Sequence, residues 1–340
     1  MSISGEWTWD ALLDAFRALG GVAENIRLGN GPHGRGLFPI DPAKPVFLRL
    51  PDNLLFPADE IEFVNERIAI KDSAAIGQPE RDFFEAYENA FSWGAGGRTE
   101  SANFVALFDE LSPDVRALLT AKFGMGEAIE GDLAERTGKR FLRSRVIDWD
   151  KRVVVMPLVE LANHHAHGLP YQSDELGRLY IQGNVSGEVF ASYGSRDTFG
   201  IFSIFGFVTA QPQAYSVPMT AKTGIGDLRI GWNTNDDTKR GDFLVPRLTA
   251  DGSNLVLSYL MIGNSKFMRL SRGIFQTLMK ERGVPDPDEV FDFILHFNRR
   301  RFLNLLVALE QSSAKMAVTL REMAHTQLEC ISYCIGRRDL

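Results

Sequence analysis

The stretch Gly29-Asn-Gly31-Pro-His-Gly34 has the spacing G-x-G-x-x-G, and Asp52 follows about twenty residues later. In a dinucleotide-binding βαβ unit that spacing must open a helix, because the helix N-terminus receives the pyrophosphate. Here Pro39 and Pro45 interrupt the next segment, whose apolar residues do not follow a 3.6 period. The context therefore argues against a doubly wound nucleotide fold. The same glycines suit a backbone that runs close to a ligand or turns through positive φ. Taken alone, an ordinary glycine-rich turn explains them more simply.

The 340 residues suffice for one large or two ordinary domains, and a composition 44% apolar and 24% charged supports a real core. A net charge of -7 argues against a general nucleic-acid binder, whose affinity would rest on Lys and Arg neutralising phosphates. It is compatible with a basic protein or peptide partner. Two cysteines, Cys330 and Cys334, make no disulfide framework; four apart in a helical pattern, they read as two thiols on one helix face. The first residues lack the basic and apolar regions of a secretory signal, and no apolar run is long enough for a membrane helix. A soluble, reducing, cytoplasmic setting is expected, with no nucleic acid and no membrane among the partners.

Along the chain, Trp9, Leu12, Leu13, Phe16 and Leu19 fall at helical spacing before Gly20-Gly21. Residues 22–58 are punctuated by Gly and Pro, include the strand-like Val46–Leu50, and read as short strands and turns. Residues 59–141 change to helical character: 82–91, 104–111, and a helix start at Ser112-Pro113. Residues 142–210 return to β character, and 211–245 form a connecting region with some strand. From Gly252 onward the expectation is helix, with Asp286 as N-cap, Pro287 first inside and Glu289 at the capping-box position, then a last helix from about 313 to 335. The apolar set of the 286 helix is Val290, Phe293, Ile294, Phe297, Phe302, Leu305, Leu306 and Leu309.

Three further segments carry chemistry. An apolar run, Met156-Pro-Leu-Val-Glu-Leu-Ala-Asn-His164, ends in Asn-His. A strand-like segment, 187–194, ends in Tyr193-Gly194, and Phe205-Gly206-Phe207 follows. His164, His165 and His167 cluster like metal ligands, but the H-E-x-x-H pattern and a nearby Cys are missing; a hydrogen-bonded or solvated loop is the preferred reading, with no metal.

The order glycine-rich turn, Ser144-Arg145, Asn163-His164, Tyr193-Gly194, Phe205-Gly206-Phe207 resembles the SET-domain family, in the branch of the Rubisco large-subunit lysine methyltransferases. The resemblance covers roughly residues 10–210 by motif. It implies an α+β chain: a knotted, β-rich SET fold split by a helical insert and followed by a mainly helical C-terminal domain. The matching segments would be 1–58 for an N-terminal helix and the first part of the SET domain, 59–141 for the insert, 142–215 for the second part, and 216–340 for the helical domain. It also implies S-adenosylmethionine as cofactor and methyl transfer to a lysine of a protein or peptide substrate. By carry-over, Gly34, Arg35 and Gly36 would bring backbone groups against the cofactor and Arg145 would hold its carboxylate. Asn163 and His164 would bind its amine and adenine, largely through backbone atoms. Tyr193 would be the active-site tyrosine, with Tyr171 and Phe205 as channel aromatics. Phe205 serves core packing as readily as a channel.

The chain departs from the branch at Glu160, where Asp is usual, at His165-Ala-His167, at Phe205 and near Thr198. These departures bear on substrate and methylation number. A histidine-directed enzyme, which the branch also contains, and a non-catalytic SET-like binding module are the alternatives.

Overall fold

A computed structural model describes residues 7–64, 66–125, 131–194, 196–209, 211, 213–231, 238–240, 243–264 and 269–335. The first six residues and Gly241 lie outside them. The chain is α+β and divides into two compact units, Met1–Val105 with Ala128–Tyr193, and Ala106–Glu127 with Gly194–Leu340. The segments expected from sequence divide the chain by element type; the two units divide it by packing.

The first unit opens with helix α1 (Trp9–Ala18). The Thr8 hydroxyl accepts from the Ala11 N–H at 3.2 Å, and Leu12, Leu13 and Phe16 are buried. An antiparallel four-stranded sheet follows, in the order Val22–Glu24, Val46–Arg49, Leu179–Gly183, Gln172–Ser173. Leu48 stands opposite Ala23 on one side and Ile181 on the other, and all three are buried, as period-two alternation requires. A three-stranded sheet joins Phe56–Pro57, Arg152–Val155 and Val146–Trp149. The short strand Phe190–Ala191 pairs in parallel with Asn163–Leu169.

The segment expected to turn helical at residue 59 first forms a hairpin, Ile61–Val64 with Arg67–Ile70. Helices α2 (Gln78–Phe91), α3 (Arg98–Asp109), α4 (Pro113–Phe123) and α5 (Leu133–Arg145) come after it. Buried Ile61, Ile68 and Ile70 and a positive φ at Glu66 favour the hairpin. Arg81 then fastens the chain before α2 by donating to the carbonyls of Ile70, Ala74 and Ile76. Phe56 and Phe84 meet at 4.5 Å and Phe16 and Phe83 at 5.9 Å, which joins α1, α2 and the sheets in one core.

The second unit departs most from expectation. Residues 198–205 form helix α6 (Thr198–Phe205) instead of β structure. Its residues are apolar nearly all round, so no face pattern marks it; its ends do. The Asp197 carboxylate accepts from the Gly200 N–H at 2.7 Å, and Gly206 closes the helix at φ 83. The region from Gly252 is not helical at first. Asn254–Leu257 lies in a sheet ordered Met219–Thr223, Gly226–Ile230, Asn254–Leu257, Leu248–Asp251, and Met261–Asn264 pairs with Gln213–Tyr215. Leu255 and Leu257 alternate inward there.

Helices α7 (Leu270–Glu281), α8 (Pro287–Leu309) and α9 (Lys315–Ile335) follow. Asp286 precedes α8 as expected, but its side chain makes no capping bond; Asp288 and Asp292 instead bind Arg272 of α7 at 2.7 and 2.6 Å. Phe293 and Phe297, counted in the apolar set, face outward, while Phe291, Leu295 and Asn298 are buried. The Asn298 amide donates to the Ser216 hydroxyl and the Ile294 carbonyl and accepts from the Val217 N–H. Cys330 and Cys334 are both buried on α9. Among the described residues no helix is long and apolar enough to cross a membrane.

Candidate active site

The glycine-rich turn is a hairpin, Ile26–Gly31 with Gly34–Pro39, and no helix follows it. Gly34 sits at its tip with φ 87, in open space. Gly31 and Gly36 have a different reason to be glycine. A Cβ at Gly36 would lie 2.6 Å from Oε1 of Glu188 and 2.9 Å from Nδ2 of Asn163, and a Cβ at Gly31 would lie 2.8 Å from Oε2 of Glu188. The carboxylate of Glu188, not an approaching ligand, fills the space where those side chains would be. The Val189 N–H donates to the Leu37 carbonyl at 2.7 Å and pins this segment to the hairpin. Asn163 donates through Nδ2 to the Arg35 carbonyl (3.1 Å) and to Glu188 Oε1 (2.5 Å).

Arg145 ends α5 beside a group of buried acids. Its Nη1 reaches the Glu160 carbonyl at 3.4 Å. The Glu160 carboxylate accepts from the Tyr87 hydroxyl (2.9 Å) and the Ser92 hydroxyl (2.7 Å). Glu88, wholly buried, is its neighbour. Burial pushes the Glu88 carboxyl well above the usual range, and the charge of Glu160 adds to that. Burial also raises Glu160, against the opposing pull of Arg145 and of its hydrogen bonds from Ser92 and Tyr87. Burial works against the charge of Arg145, but Glu160, Tyr193, Tyr87 and Glu88 outweigh it and hold the guanidinium more firmly protonated than usual. Arg35 stands near enough to feel Tyr87, Arg145 and Glu160. Its Nη1 donates to the Ala95 carbonyl at 3.3 Å. The Nε atoms of both Arg35 and Arg145 are buried without a hydrogen-bond partner.

Tyr193 follows the short strand Phe190–Ala191, with Ser192 between. Its hydroxyl donates to the Ala162 carbonyl at 2.9 Å, and its N–H donates to Nδ1 of His164 at 3.2 Å, with the two rings 5.0 Å apart. Burial, with help from Glu160 and against Arg145, pushes the Tyr193 hydroxyl up to about 12. Tyr171 is raised well above its ordinary value by burial, then by Tyr193 and Glu160. Both phenols are therefore neutral at physiological pH.

His165 and His167 turn aside from this group. The His165 ring lies 5.7 Å from His167 and 5.5 Å from Phe190, and His33 packs on the same Phe190 ring at 5.5 Å. Among the described residues no group of three His, Cys, Asp or Glu side chains could hold a metal ion.

The first unit thus brings together Arg35, Arg145, Asn163, His164, Tyr171 and Tyr193, with Gly34 and Gly36 on the adjoining hairpin. Phe205 belongs to the second unit, where it ends α6 with its ring 6.1 Å from Phe207. Sequence reading missed Tyr87, Glu88, Ser92 and Glu188. A carboxylate in a helix or beside a strand reads as solvated unless a distant partner is known.

No family model matches the chain, and no curated protein matches it by sequence. Among solved structures, the chain is similar to the SET domain of LSMT bound to lysine and AdoHcy, with 11% identity and a TM-score of 0.47 over 99% of this chain and 91% of that one. It is similar also to Rubisco LSMT bound to AdoMet, with 10% identity and a TM-score of 0.44 over 96% and 90%. Both likenesses are loose.

Proposed function

We propose that the first unit binds S-adenosylmethionine and directs its methyl group to the side-chain nitrogen of a protein lysine. The observation that carries this reading is the pair of guanidiniums, Arg35 and Arg145, within electrostatic reach of each other, with Tyr193 within reach of Arg145 and the Asn163 amide bonded to the Arg35 carbonyl. An amino-acid-bearing nucleoside fits such a set: a carboxylate for the guanidiniums, an ammonium for an amide oxygen, and a reacting carbon beside a tyrosine. The motif order found in the sequence supports it independently.

When bound, the cofactor supplies a sulfonium-borne methyl group that leaves to a nitrogen lone pair, the C–S electrons returning to sulfur. The chain's own work is to prepare that nitrogen. A free lysine titrates at about 10.4 and must lose its proton first. The walls made by Tyr171 and Tyr193 favour the neutral amine by desolvation. The Tyr193 proton is committed to the Ala162 carbonyl, so the oxygen offers the amine a lone pair and orients it by accepting an N–H. With its hydroxyl raised to about 12, Tyr193 orients and does not serve as a phenolate base near neutral pH. Alignment of nitrogen, carbon and sulfur supplies the remainder.

Calorimetric titration with S-adenosylhomocysteine tests the reading, followed by transfer of labelled methyl groups to a proteome. One saturable site and labelled lysine are expected. Absence of binding at millimolar ligand would refute it.

A further inference from the structure

The amide of Asn163 has no freedom of orientation. Its two Nδ2 hydrogens meet the Arg35 carbonyl at 3.1 Å and Glu188 Oε1 at 2.5 Å. Carbonyl and carboxylate only accept, so nitrogen must face both of them and oxygen must face the other way. Asn163 is partly exposed, and its Oδ1 receives no donor from the described residues. Glu188 is only 8% exposed, it is seated beneath Gly31 and Gly36, and the Val189–Leu37 backbone bond holds it there. Its Oε2 is buried and unpartnered. A carboxyl group so placed, at the expense of two side chains on the hairpin, joins the Arg35 carbonyl in setting the amide.

We propose that Glu188 is a positioning residue which locks Asn163 with its oxygen outward, so that this position selects a ligand presenting a cationic N–H donor, a primary ammonium. The inference rests on the cofactor reading above, in which that donor is the α-ammonium of the methionine part.

Glu188→Leu keeps the bulk but removes the acceptor. The Asn163 amide then keeps only the Arg35 carbonyl, and its oxygen is no longer held firmly toward the ligand. S-adenosylhomocysteine should then bind about ten- to a hundredfold more weakly, the range of one lost charged hydrogen bond. The deaminated analogue, with hydrogen in place of the α-amine, should bind the native protein and the variant equally. Equal weakening of both ligands would mean that Glu188 only supports the fold, and unchanged affinity for both would mean that it does not set the amide; either result overturns the proposal. Selective ¹⁵N labelling of asparagine supplies a ligand-free arm. The Asn163 side-chain amide protons should move upfield in the variant as they leave the carboxylate, and unmoved resonances overturn the locked orientation. If the native protein binds neither ligand, the cofactor reading fails, and the resonance shift still decides the orientation.

Discussion

Replacing Glu88 by Gln should change how stability depends on pH more than it changes stability itself. Glu88 is 0% exposed and lies beside a second buried carboxyl, Glu160. Burial and then the charge of Glu160 push its folded-state pKa well up, whereas an unfolded glutamate titrates at about 4.3. Between those two values the native chain keeps a proton that the unfolded chain has lost. Stability from this group is fully present below the unfolded pKa and is lost as pH rises toward the folded one. Each pH unit in that window removes about 1.4 kcal/mol, and two units about 2.7 kcal/mol. Gln at 88 mimics the protonated acid and cannot ionise. It also relieves Glu160 of a like-charged neighbour, so Arg145 holds that carboxylate more easily. Urea unfolding at a series of pH values from 5 to 8 measures the difference. Trp7, Trp9, Trp93 and Trp149 all lie in the first unit and report on it by fluorescence. The variant should exceed the native protein by about 1 kcal/mol near pH 5 and by increasingly more toward pH 8. Parallel stability profiles would refute the claim that the pair retains a proton.

Tyr193→Phe should lower turnover by roughly two to three powers of ten while S-adenosylhomocysteine affinity stays level, as steady-state kinetics and calorimetry would show; full turnover removes Tyr193 from the reacting centre. Arg145→Ala should weaken S-adenosylhomocysteine by about 1.5–3 kcal/mol, read by calorimetry, and an unchanged dissociation constant removes Arg145 from the site. Asn298→Ala should destabilise the second unit by about 2–4 kcal/mol in chemical denaturation, since it empties a buried site and leaves the Val217 N–H without its partner, while the Ser216 hydroxyl keeps only its bond to the Val217 carbonyl.

What could be read from the sequence depended on how far apart the partners lie. Helix α1 was legible because its apolar period and its Gly20-Gly21 stop are local. The hairpin at 26–39 was legible as a non-helix because Pro39 and Pro45 forbid the alternative. The purpose of Gly31 and Gly36 was not, because their neighbour Glu188 is more than 150 residues away. Helix α6 escaped because a segment apolar on every side has no period; only Asp197 and Gly206 mark it. The strands at 254–264 escaped because two alternating leucines are too few to outweigh the helical pattern that follows them. The six residues gathered in the first unit were legible as motifs, but the acids that surround Arg145 were not. Nothing local separates Glu88 from an ordinary outward-facing helix glutamate.

Those acids decide the charge that a ligand would meet. Arg35 and Arg145 contribute two positive charges to the buried group, and Glu160 offers one negative charge when Glu88 keeps its proton. The group is then left with a surplus of one positive charge, which an incoming carboxylate would cancel. The Asn163 oxygen, set by Glu188 and the Arg35 carbonyl, would supply the acceptor for a cation. A zwitterionic ligand with one carboxylate and one ammonium matches both. Its carboxylate would add negative charge near Glu88 and Glu160 and hold the Glu88 proton more tightly. Binding should therefore take up protons in the pH range where the native pair begins to ionise, and affinity should fall as pH rises through that range. Calorimetry of S-adenosylhomocysteine in buffers of different ionisation enthalpy measures the uptake directly. It should vanish in Glu88→Gln. Proton release on binding, or an uptake that survives in the variant, would mean that the buried acids do not tune the site.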